Sequence, residues 1–135
     1  MRQQFIIDGA RFDTLEGFYC EVDTVFTKDI SFKTGHNLNA YNDILRGGFG
    51  MHERGEPITI LWKNVAKSRV DFGYPATAKY HEENMDTCHP VNRDIVKKKM
   101  LAALKAMGPT LMDEIIEITL DSNNSGHDCI LEFEE

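Results

Sequence analysis

The sequence is short of the features from which an activity is usually read. Its 135 residues include only three cysteines, Cys20, Cys88 and Cys129. An odd number, widely spaced and without a CxxC pair, makes no disulfide framework. Free, buried thiols in a reducing compartment are the expectation. No GxSxG, HExxH or Walker pattern occurs, so the signatures of a nucleophile elbow, a zinc protease and a phosphate loop are missing. No apolar run approaches the length of a membrane span, and the stretch after Met1 is too short for a secretory signal. The chain is therefore expected to stay in the cytoplasm, away from the membrane. Basic residues are also scarce, with 15 Lys and Arg against 22 Asp and Glu and a formal charge of -7. A nucleic-acid backbone is gripped by a basic face, so direct nucleic-acid binding is not expected. A basic protein would instead be drawn in by the field of the whole molecule.

What is present has the balance of one globular domain, with 41% hydrophobic and 27% charged residues. Phe5-Ile6-Ile7 followed by Asp8-Gly9 reads as a buried strand and a turn. Asp13-Thr-Leu-Glu16 has capping-box spacing. Leu15, Phe18, Val22, Val25 and Phe26 then recur at helical spacing over residues 14–27. After a loop through Phe32, Asn37 is placed to cap a short helix whose buried stripe is Leu38, Tyr41 and Leu45 and which Gly47-Gly48 ends. Ile58–Trp62 reads as a second strand covered on both faces, with a brief helix near residues 64–70 behind it. Residues 71–90, with Gly73, Pro75, Pro90 and the polar run His81-Glu-Glu-Asn84, read as an irregular surface excursion. Asn92 is placed to cap a helix burying Val96, Met100, Ala103, Leu104 and Met107, which Gly108-Pro109 stops. Residues 109–121 have strand-like composition, but Leu111, Ile115 and Ile118 keep helical spacing and Asp113-Glu114 suit a helix start; the helix is the reading adopted. The loop 122–126 leads to a last strand at Cys129–Phe133. Strands alternating with helices predict an α/β fold, a parallel sheet packed against helices.

Chemistry-bearing residues are few. Asn39, Asn42, Asp43 and Arg46 stand at i, i+3, i+4 and i+7 and share one polar helix face. A solvated surface explains that pattern, but Asp43 falls in the last turn, where the helix dipole disfavours a carboxylate. Asp121 repeats the placement at the end of the later helix, and local rules tend to be broken at functional sites. Gly47-Gly-Phe-Gly50 follows a helix and lacks a following Lys-Ser/Thr, so it reads as a turn. Cys88-His89 is a lone pair among five histidines and falls short of a zinc set, so neither metal nor cofactor is expected. A small enzyme using Cys88 or a histidine with a carboxylate stays open as an alternative; it requires those groups to converge in a concave pocket. Lys97-Lys98-Lys99 reads as the exposed face of its helix.

Gly35-His-Asn-Leu-Asn-Ala-Tyr-Asn-Asp-Ile-Leu45 resembles the central motif of the barstar family, intracellular inhibitors of secreted ribonucleases such as barnase. The resemblance runs nearly end to end: Ile6–Gly9 is similar to the first strand and turn, Leu15–Val25 to the first helix, and Ile58–Trp62 to the second strand with its tryptophan. Thr110–Ile116, and Gly126 through Phe133, are similar to the last helix and strand. Gly-Gly-Phe-Gly (47–50), Trp-Lys-Asn (62–64) and Cys-His-Pro (88–90) resemble a longer bacterial branch, in which residues 71–107 are enlarged. The resemblance implies a barstar-like fold, a three-stranded parallel sheet packed against several helices in one domain over 1–135. It also implies an immunity or antitoxin protein, a monomer bound one to one to a basic ribonuclease, with no catalysis of its own. Asp43 matches the family's key aspartate, which takes the place of an RNA phosphate in the nuclease active site, and Asp121 matches a second acid. Asn39, Asn42, Gly35, His36, Lys33 and Arg46 complete the implied partner-binding surface. Lys33 and Thr34 replace aromatic residues of barstar, Asn39 an acid and Asn42 a tryptophan, so the implied target is a nuclease other than barnase. A third reading keeps the fold and replaces the nuclease with another basic protein.

Overall fold

The computed structural model describes residues 3–26, 37–45, 53, 55–120 and 129–135, apart from the side chain of Asn39. Three strands, β1 (Gln3–Asp8), β2 (Ile58–Lys63) and β3 (Cys129–Glu134), form one sheet in the order β1-β2-β3, parallel throughout, as expected. Six helices are described: α1 (Leu15–Phe26), α2 (Leu38–Leu45), α3 (Val65–Asp71), α4 (Tyr74–Thr87), α5 (Arg93–Leu104) and α6 (Leu111–Leu120). No described helix is long and apolar enough to cross a membrane.

The core sits on one face of the sheet. Alternate residues of a strand point to opposite faces, so Ile58, Ile60 and Trp62 of β2 are wholly buried together with Phe5 and Ile7 of β1. Phe18 of α1 stacks on the Trp62 indole with centroids 5.5 Å apart, and Tyr41 of α2 meets Phe18 edge-on at 5.1 Å. The Trp62 indole N–H donates to Ser68 Oγ at 2.9 Å, which satisfies its buried donor and ties β2 to α3. Asp8-Gly9 makes the expected turn as a short 3-10 segment. A Cβ on Gly9 would collide with Ser68 Oγ, so the close approach of α3 needs glycine here.

Four expectations are corrected. The N-cap of α1 is Thr14, not Asp13, because Thr14 Oγ1 accepts the Gly17 N–H at 3.1 Å. Residues 71–90 are largely regular: α4 runs for 14 residues, with Pro75 in its first turn, where no N–H is required. α5 buries Ala103 and partly covers Val96 and Met100, but Leu104 and Met107 are exposed, Met107 lying beyond the helix end. Of the cysteines only Cys129 is buried; Cys20 is exposed. The end of α2 at Gly47-Gly48 and the loops through Phe32 and over 122–126 lie outside the described residues.

Candidate functional site

The candidate site is the outward face of α2. Asn37 caps this helix as expected, its Oδ1 accepting the Ala40 N–H at 2.7 Å. Leu38, Tyr41, Ile44 and Leu45 turn inward and are buried in the core. The Tyr41 hydroxyl meets Thr119 Oγ1 of α6 at 2.7 Å, and Thr119 in turn donates to the Ile115 carbonyl at 2.8 Å. Thr119 has a single proton, so Tyr41 is the donor. Burial pushes the Tyr41 phenol well above its usual range. This buried tie fixes the rotation of α2 about its axis. It was not foreseen in the sequence, although Thr119 is the one polar residue on the buried stripe of α6 and so marks a position that needs a partner.

Of the remaining described positions, Ala40 and Asn42 are half-buried and Asp43 is exposed. Asp43 points to solvent. It stands two residues before Leu45, the last described residue of α2. Asn42, on the flank of the buried stripe, is half-buried, and its Oδ1 is buried with no hydrogen-bond partner among the described residues. Asn39 occupies the first turn of α2. Gly35, His36, Lys33, Arg46 and Asp121 lie outside the described residues; α6 ends at Leu120, immediately before Asp121.

Among the described residues, Cys88 does not converge with a histidine and a carboxylate in a cavity; His36, His52 and His127 lie outside them. Cys88 closes α4, with Sγ 3.8 Å from the Met85 carbonyl, and His89 Nδ1 accepts the Val91 N–H at 3.2 Å. Neither lines either of two described cavities. One, of about 330 Å³, lies between α1 and α4 and is lined by Glu16, Lys79, Tyr80 and Glu83 among others. The other, of about 280 Å³, is lined by His81, Lys99, Glu114 and Glu117. Burial, aided by Lys99, lowers the His81 pKa, and burial raises that of Glu114. No hydrogen bond joins His81 to either glutamate among the described residues, so no acid–base relay is assembled there. No group of three His, Cys, Asp or Glu side chains among the described residues could hold a metal ion.

The α6 start is equally closed to an anion. Its first four N–H groups are all engaged: Leu111 with Thr77 Oγ1 at 2.6 Å, Met112 with the Phe72 carbonyl at 3.2 Å, Asp113 with Thr110 Oγ1 at 3.2 Å, and Glu114 with the Thr110 carbonyl at 3.1 Å. Among the described residues, what remains is the exposed Asp43 carboxylate on a helix tied to the core through Tyr41.

Comparison with known proteins bears on that helix. A family model described as "Barstar (barnase inhibitor)" matches residues 2–104, which includes β1, α1, α2 and β2. No curated protein matches the chain.

Proposed function

The chain belongs to the barstar (barnase inhibitor) family, whose members are inhibitors and not enzymes, and from that premise we propose that it blocks a basic ribonuclease by inserting the outward face of α2 into the nuclease active site. Asp43 is the anchor. A nuclease cleft is built to hold a phosphate, so its cationic side chains make charge-assisted hydrogen bonds to a carboxylate presented at the same place. Asn39, Asn42, Gly35, His36, Lys33, Arg46 and Asp121 surround the anchor and set which nuclease fits. The protein acts as a cytoplasmic immunity protein, one copy per nuclease, and residues 71–107 are an enlargement of a single domain over 1–135.

The exposure of Asp43 on a helix whose phase is locked by Tyr41 carries this reading. Calorimetric titration against a panel of barnase-type ribonucleases tests it. Asp43→Ala is expected to weaken binding of the cognate nuclease by more than about 2 kcal/mol, roughly thirtyfold. Thermal stability should change by no more than about 0.5 kcal/mol, as for an exposed substitution. Equal affinity of variant and wild type would remove Asp43 from the role.

A further inference from the structure

Parallel sheets are ordinarily covered on both faces, yet the buried side chains of α1, α2, α3 and α6 all cluster with one face of this one. On the opposite face the strand register lines up three rows: Gln4, Thr59 and Ile130; Ile6, Leu61 and Glu132; Asp8, Lys63 and Glu134. Ile6 is 44% exposed and Ile130 45% exposed. The face is thus an apolar centre with three carboxylates and one lysine around it.

α5 shows the converse. Only Ala103 is buried, while Leu101 is 43% and Leu104 66% exposed. The helical neighbours of Leu101 at three and four residues are Lys97, Lys98, Leu104 and Lys105, all exposed. Two leucines therefore stand among three lysines. The lysines interleave with the leucines and do not segregate to the far side, which is not the layout of a helix lying in a lipid interface. No aromatic residue stands on α5 to stack on a nucleic-acid base.

We infer that the protein self-associates head to tail, α5 of one copy covering the open face of the sheet in the next. The second copy supplies both complements: Ile6, Leu61 and Ile130 for the leucines, and Asp8, Glu132 and Glu134 for the lysines. Pairing like faces would set lysines against lysines or carboxylates against carboxylates, so the contact joins unlike faces and is heterologous. It also supplies the second side of the sheet with a helix layer that no described helix provides. The patches are small, so the association is weak. α2 packs on the other side of the sheet, which leaves Asp43 outside the contact.

Sedimentation equilibrium of the full chain at low salt, from about 10 μM to about 1 mM, reads this directly. The weight-average mass is expected to rise above 15.4 kDa with concentration and to fall back when salt is added. Leu104→Glu and Ile130→Glu, both exposed positions, should each keep the native circular dichroism spectrum and stay monomeric. Mixed in equal amounts, the two variants should form a species of twice the monomer mass and nothing larger, because each retains one intact face. A wild type that is monomeric throughout, a variant that still associates, or a mixture that stays monomeric would each overturn the inference.

Discussion

Among the described residues the buried Oδ1 of Asn42 has no hydrogen-bond partner. A buried amide oxygen without a partner costs about 1–3 kcal/mol relative to one that is hydrogen-bonded, and asparagine is a poorer helix former than alanine. Asn42→Ala is therefore expected to stabilise the free protein by about 1 kcal/mol, read as a higher denaturation midpoint at unchanged m-value. A lower midpoint would mean that the amide has a structural partner after all. If Asn42 belongs to the partner-binding surface, the same variant binds the nuclease less well, the exchange of stability for function expected at such a site. Among the candidate residues, those on α2 were legible from spacing alone. With Leu38, Tyr41 and Leu45 as the buried stripe, helical spacing puts Asn39, Asn42 and Asp43 together on another face. The orphaned oxygen of Asn42 was not legible, because it depends on what packs beside the helix flank.

At the scale of elements, the strands and α1, α2 and α6 were legible because each shows an apolar period and an end signal. α4 was not. Its buried residues are Thr77, Ala78 and His81, so no apolar stripe announces it, and Gly73 and Pro75 imitate a loop. Thr77 is buried there because its hydroxyl accepts the Leu111 N–H at the start of α6, a contact across 34 residues that no local pattern records. The end of α5 was misplaced for a different reason. Ala106 takes a left-handed φ of 55°, the Ala106 N–H donates to the Ala103 carbonyl at 3.0 Å, and the Met107 N–H donates to the Ala102 carbonyl at 2.9 Å. That is a Schellman ending with alanine where glycine is the usual residue, two positions before Gly108. Ala106→Gly removes the steric cost of the left-handed conformation, offset in part by the added freedom of the unfolded chain. A net gain of about 0.5–1 kcal/mol is expected from thermal or chemical denaturation; a loss would place strain elsewhere than at Ala106.

Across the whole molecule, charge is unevenly spread. Residues 71–107 hold five of the 22 acidic and six of the 15 basic side chains, so the acidity resides in the rest of the chain, which includes α2. Such a field accelerates encounter with a cationic nuclease. The association rate in stopped flow should fall steeply as salt rises from about 10 mM to about 0.5 M, with the dissociation rate changing far less. A flat association rate would show that the field does no steering. The parallel α/β architecture was legible at this scale, because strands separated by helices leave few other topologies. The side of the sheet on which no described helix packs was not, since the apolar run Ile58–Trp62 reads the same whether one face is covered or two. The Tyr41–Thr119 link has a consequence of its own. Because α2 is clamped from inside, its outward positions can be exchanged one at a time without loosening the clamp. A lineage confronted with a new ribonuclease could thus retune its lock by surface substitutions alone, the frame beneath them left untouched.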